Sequence, residues 1–93
     1  MKHQHHFGST NVIALREVAR IGAFIGDLDR RAQLLDSDIA AAQESARVFN
    51  PFDAAYPVLA RTLAARRDNL RATVATLEKR LASLQGRADK VPA

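Results

Sequence analysis

The chain has 93 residues, a formal charge of +4 and no cysteine. That length admits one domain, and the missing thiols exclude disulfides and zinc–thiolate sites while fitting a reducing compartment. Hydrophobic residues make up 47% of the chain and aromatics 5%, too apolar for a disordered chain but with thin, alanine-rich surfaces suited to close helix contact.

Residues 1–11 carry no periodicity, and His3, His5 and His6 fall among them. A metal site needs fixed geometry and a second shell of supporting groups, which such a segment does not supply. A disordered or tag-like tail with no metal is therefore expected over 1–11. The segment is His-rich rather than basic-then-apolar, unlike a secretory signal.

Thr10 or Asn11 is placed to cap a first helix, predicted over residues 12–48. Its apolar positions are Ile21, Ile25, Leu28, Ala32, Leu35, Ile39, Ala42 and Ala46, in alternating steps of four and three. Such spacing keeps every member on one seam, the pattern that packs helix against helix. Gly22 and Gly26 form a small-xxx-small pair, read as a flat where another helix approaches closely. Arg20, Asp27 and Asp29 flank it, and the apolar stretch is far shorter than the roughly 20 residues of a membrane span.

Asn50-Pro51 and Tyr56-Pro57 bracket a turn over 49–57, because proline cannot continue a helix and pushes its predecessor toward extended backbone. Phe49, Phe52 and Tyr56 are expected to fold over the hairpin end as an aromatic plug, and Asp53 to cap a short turn. A second helix follows over 58–85, with Pro57 at its start and Gly86 as its C-cap. Residues 87–93 are expected to fray. Its stripe is Leu63, Arg67, Leu70, Val74, Leu77, Leu81 and Leu84, continuing through Ala88 and Val91.

Folding one stripe on the other predicts an all-α, antiparallel two-helix coiled-coil hairpin spanning 12–86. The apolar residues match when paired position numbers sum to about 105, as Leu35 with Leu70. This register brings Asp36 and Asp38 toward Arg67 and Arg71, with Arg67 reaching Asp38, and Asp27 toward Lys79 or Arg80. A hairpin has one buried seam, and small cores of that kind are marginal alone. Phe24, Leu34, Leu59 and the glycine flat lie off the stripe, so dimerisation into a four-helix arrangement is expected.

No Gly-rich phosphate loop, nucleophile elbow or His-Glu-x-x-His is present. The acid pairs Asp27/Asp29 and Asp36/Asp38 are two residues apart and point to different helix faces. The pattern therefore points to a non-enzymatic interaction protein without a cofactor. Charge is uneven: residues 58–91 hold eight basic against three acidic side chains, and residues 12–48 hold five against six. Arg61, Arg66 and Arg71 are the candidates for binding an acidic protein partner. A basic nucleic-acid-binding protein is the weakest reading, because the arginines come as doublets without interleaved aromatics.

The stretch from Ile21 to Leu84 resembles a known family. Ala55-Tyr56-Pro57, then Ala60-Arg61, then Arg66-Arg67-Asp68-Asn69-Leu70, together with Ile25-Gly26-Asp27-Leu28-Asp29 and Leu35-Asp36-Ser37-Asp38-Ile39, are similar to segments of the flagellar export coiled-coil proteins of FliJ type, in their alphaproteobacterial version. The resemblance implies a short or divergent member: a cytoplasmic, non-enzymatic antiparallel coiled coil of the flagellar type III export apparatus. It further implies partners in the export ATPase and the membrane-embedded export gate. A generic coiled-coil adaptor or regulator with an unrelated protein partner is the alternative that the same heptads support.

Overall fold

The computed structural model describes residues 2–89, with side chains for residues 12–86. Two helices make up the fold: α1 over Lys2–Ala46 and α2 over Val58–Asp89. They run antiparallel and pack along their lengths. The rod measures 69 × 17 × 15 Å, and its radius of gyration is 20.4 Å, against about 12 Å for a compact chain of this size. The long dimension is that of α1 itself, since 45 residues span about 67 Å at the helical rise. The predicted hairpin is the observed one.

α1 starts at Lys2, ten residues ahead of the sequence expectation, so residues 2–11 are helical where a disordered tail is predicted. Nothing in that stretch stops a helix except one glycine, Gly8. Extending an existing helix adds one hydrogen bond per residue ordered and avoids the cost of nucleation. These first turns run about 20 Å beyond the described end of α2, taking about 48 Å for its 32 residues.

The other end of α1 is set by a cap that sequence pattern does not reveal. Arg47 adopts a left-handed backbone with φ of 59°. Its N–H donates to the Glu44 carbonyl, and the Val48 N–H donates to the Gln43 carbonyl, both at 3.3 Å. These two bonds form a Schellman motif, which satisfies carbonyls that the last turn would otherwise orphan. Val48 then packs with Ala42 against the cluster of Ile39, Tyr56 and Ala60, the apolar contact that accompanies such caps. The helix therefore ends at Ala46 rather than at 48.

α2 begins after Pro57, whose carbonyl accepts the first helical bond from the Arg61 N–H at 3.2 Å. It continues through Gly86 to Asp89, and Gly86 has no positive φ. Gly86 is thus an interior helical residue and not a C-cap. Glycine permits a left-handed cap without imposing one, and the next obligatory breaker is Pro92.

The seam is where the heptads place it. Ile21, Leu28, Ala32 and Ile39 of α1 are buried, as are Ala60, Val74 and Leu84 of α2. Ile25, Leu35, Ala42, Leu63, Leu70, Leu77 and Leu81 are half-buried, while Ala46 is exposed. Ala88 and Val91 lie outside the residues whose side chains are described. No described helix is long and apolar enough to cross a membrane.

Replacing Arg47 by glycine should stabilise the hairpin by about 0.5 kcal/mol. That figure is the relief of roughly 1–2 kcal/mol of left-handed strain, less the extra backbone entropy of glycine. Urea denaturation at fixed protein concentration checks it; an unchanged or lowered midpoint contradicts the strain assigned to this residue.

Candidate protein-interaction surfaces

The tip loop is built from short polar side chains that bond their own backbone. The Asn50 carboxamide oxygen accepts from the Phe52 N–H at 3.0 Å, and the Asp53 carboxylate accepts from the Ala55 N–H at 2.9 Å. Both are Asx turns. Asp53 N–H donates to the Asn50 carbonyl and Tyr56 N–H to the Asp53 carbonyl, each at 3.0 Å. Asp53 therefore does cap a short turn, as its sequence position implies.

Tyr56 closes the hairpin. Its ring is buried beside Ile39 and Ala60, with room supplied by the small alanine side chain. Its Oη accepts a hydrogen bond from Gln43 Nε2 at 2.8 Å, tying the loop to α1. From the other helix, the Arg61 guanidinium lies 5.2 Å over the Tyr56 ring, within cation–π range, and donates to the Asp53 carbonyl at 3.2 Å. The loop is held from both sides.

Phe49 and Phe52 do not join this plug. Phe52 is 94% exposed and Phe49 53%, with Val58 and Leu59 also exposed beside them. The expected three-residue aromatic plug is a single tyrosine. The Asn50 turn holds the Phe52 backbone where its ring finds no cover within the chain.

Polar contact between the helices centres on Asp36. Arg67 donates to its Oδ1 at 2.9 Å and Arg71 to its Oδ2 at 2.6 Å. Asp36 therefore sits level with the turn between residues 67 and 71, where the apolar matching places it. Arg67 reaches Asp36 rather than Asp38, and also Asp68 of its own helix at 3.1 Å. The hydrogen bond to Asp36, foremost among its contacts, raises the Arg67 guanidinium above its ordinary value against the opposing effect of burial. Asp27 does not reach Lys79 or Arg80; it pairs with Arg30 and Arg31 one turn along α1.

The three arginines proposed for partner binding have different fates. Arg61 is spent on the loop and Arg71 on Asp36. Arg66 is exposed and has no ion-pair partner among the described residues. They do not share a face, since steps of five residues turn a helix by about 140° each. Reversing all three charges would damage the hairpin's own contacts.

The glycine flat is unoccupied within the chain. A Cβ at Gly22 would meet nothing within 4 Å, and one at Gly26 would meet only the Arg30 guanidinium at 3.6 Å. Among the described residues no three His, Cys, Asp or Glu side chains gather as metal ligands would; the side chains of His3, His5 and His6 lie outside them. In comparisons with protein-family models, with curated proteins and with solved structures, the chain finds no match.

Two measurements probe these surfaces. Gly22→Ala and Gly26→Ala should each stabilise α1 by up to about 1 kcal/mol, the helical penalty of glycine, and leave the native molar mass unchanged. A loss of stability or of mass would instead make the flat a contact surface. In a double-mutant cycle, Asp36→Ala and Arg71→Ala should couple by roughly 0.5–1 kcal/mol at low salt and by less at about 1 M salt. A coupling that salt leaves untouched would contradict an exposed ion pair.

Proposed function

We propose that this chain is a non-enzymatic interaction protein whose hairpin tip docks on a protein partner, and that the partner is an export ATPase of the flagellar type III apparatus. The observation that carries the docking reading is Phe52, 94% exposed on a loop whose backbone is fixed by hydrogen bonds on both sides. An aromatic ring presented on an ordered frame loses little conformational freedom on binding. Burying it in an apolar pocket stabilises a complex by about 1.5–3 kcal/mol, the profile of an interface anchor. The exposed Phe49 and Val58 widen the contact.

The choice of an ATPase rests on the resemblance carried by Ala55–Pro57 and Arg66–Leu70, and on the rod shape that a stalk needs. Within this chain Tyr56 and Arg67 hold the hairpin closed. They set the geometry of the tip, and Phe52 and Phe49 are left to meet the partner. A cytoplasmic location belongs to the same proposal.

The test is titration of the full chain with the purified flagellar export ATPase of the same organism, followed by calorimetry. Wild-type chain should bind, and Phe52→Asp should weaken binding at least tenfold with the helical circular dichroism unchanged. Absence of wild-type binding at tens of micromolar overturns the choice of partner. Equal binding by Phe52→Asp overturns the role of the tip.

A further inference from the structure

The tip differs from the rest of the chain in charge. The sequence as a whole carries +4, yet between Gln43 and Ala65 the basic Arg47 and Arg61 are balanced by the acidic Glu44 and Asp53. All four are engaged within the hairpin. Arg47 pairs with Glu44 at 3.0 Å, and the Asp53 carboxylate accepts from the Ala55 N–H. Arg61 lies over the Tyr56 ring and donates to the Asp53 carbonyl. Around these groups Phe49, Phe52, Val58 and Leu59 are each more than half exposed, and Pro51 is exposed with them. The loop backbone is similarly committed. The N–H groups of Phe52, Asp53, Ala55 and Tyr56 are bonded within the loop, and Pro51 and Pro57 have no N–H.

We infer that the partner surface receiving this tip is an uncharged apolar cleft, and that ionic contacts take no part in its recognition. The inference rests on the docking reading above and specifies its chemistry. A carboxylate or cation in the cleft wall would lose its water against Phe52 and Val58. In place of a counter-charge it would meet groups that the hairpin has already engaged, and burying an uncompensated ion is strongly unfavourable. An apolar wall carries no such penalty and gains by leaving water. The end of a rod 17 × 15 Å across is convex, so its complement is concave.

The arginines that suggest an acidic partner in the sequence fall outside this contact. Arg71 is held by Asp36. Arg66 stands seven residues after Leu59, about 10 Å back along α2. At physiological ionic strength that distance exceeds the screening length of about 8 Å. Charge therefore neither steers the tip nor holds it, and the affinity comes from apolar area.

The test is calorimetric titration of the full chain with the purified flagellar export ATPase of the same organism, at about 0.05 M and about 0.5 M salt. The Kd should change less than twofold between the two, and the heat capacity of binding should be negative, as burial of apolar surface requires. Arg66→Glu should bind within twofold of wild type. Val58→Asp should weaken binding at least tenfold, and its folding is secure because an acidic side chain is favourable in the first turn of a helix; circular dichroism checks this. Binding that salt weakens tenfold, or that Arg66→Glu weakens tenfold, overturns the uncharged cleft and leaves the docking of the tip standing. So does Val58→Asp binding like wild type. Absence of wild-type binding at both salt concentrations overturns the choice of partner and the cleft together, so the two failures are told apart.

Discussion

Each helix of this chain has a single neighbour, so only one stripe per helix can leave water, and the rest of the structure follows from that limit. Ile21, Leu28, Ala32 and Ile39 on one side and Ala60, Val74 and Leu84 on the other carry the folded state. Ala32 and Ala60 matter by being small, since they let the helices approach while contributing little area themselves. A layer this thin gives no depth in which to bury an ionised group. The charged residues accordingly sit at its edges, and no described polar side-chain atom is buried without a partner.

Limited apolar depth makes the closing of the hairpin decisive. A helix pair can slide by one heptad with modest loss of apolar matching, because alanine, leucine and valine substitute for one another along a stripe. Two features oppose such a slide. Tyr56 accepts a bond from Gln43 and packs with Ile39 and Ala60, and Asp36 is clasped by Arg67 and Arg71. Exposed ion pairs stabilise by well under about 1 kcal/mol each. Their effect is instead selective for the native register, in which Asp36 lies level with the turn between Arg67 and Arg71. The Schellman cap at Arg47 completes the arrangement by turning the chain before Pro51.

The hairpin itself was legible because heptad spacing is a global signal, repeated over several turns of both helices and insensitive to any one residue. The apolar matching also located Asp36 against Arg67 and Arg71. What escaped were features decided by a single torsion or a single side-chain direction. Asp36 and Asp38 are two residues apart and point to opposite flanks, and composition cannot say which flank faces Arg67. Gly86 has the residue type of a cap but stays helical, whereas Arg47 has the wrong type and takes the left-handed backbone. Beyond Arg47, Val48 packs against the cluster of Ile39, Tyr56 and Ala60, a contact that crosses from α1 to the loop and α2. Phe52 is an aromatic residue that hydrophobicity would bury, but the Asn50 turn that sets its direction is a single side-chain bond. Gln43 could have been found: it follows Ile39 by four residues, on the edge of the seam facing the loop.

The tip and the seam bear on one another through geometry. A single aromatic anchor of about 1.5–3 kcal/mol gives weak binding by itself, so what it contributes depends on how little freedom it loses on docking. Phe52 stands on a loop held by the Asn50 and Asp53 turns, and Gln43 and Arg61 tie that loop to α1 and α2. The pairs of Asp36 with Arg67 and Arg71 fix the level of one helix against the other, and with it the path by which the loop leaves both. Precision at the tip therefore resides partly in residues that lie away from it.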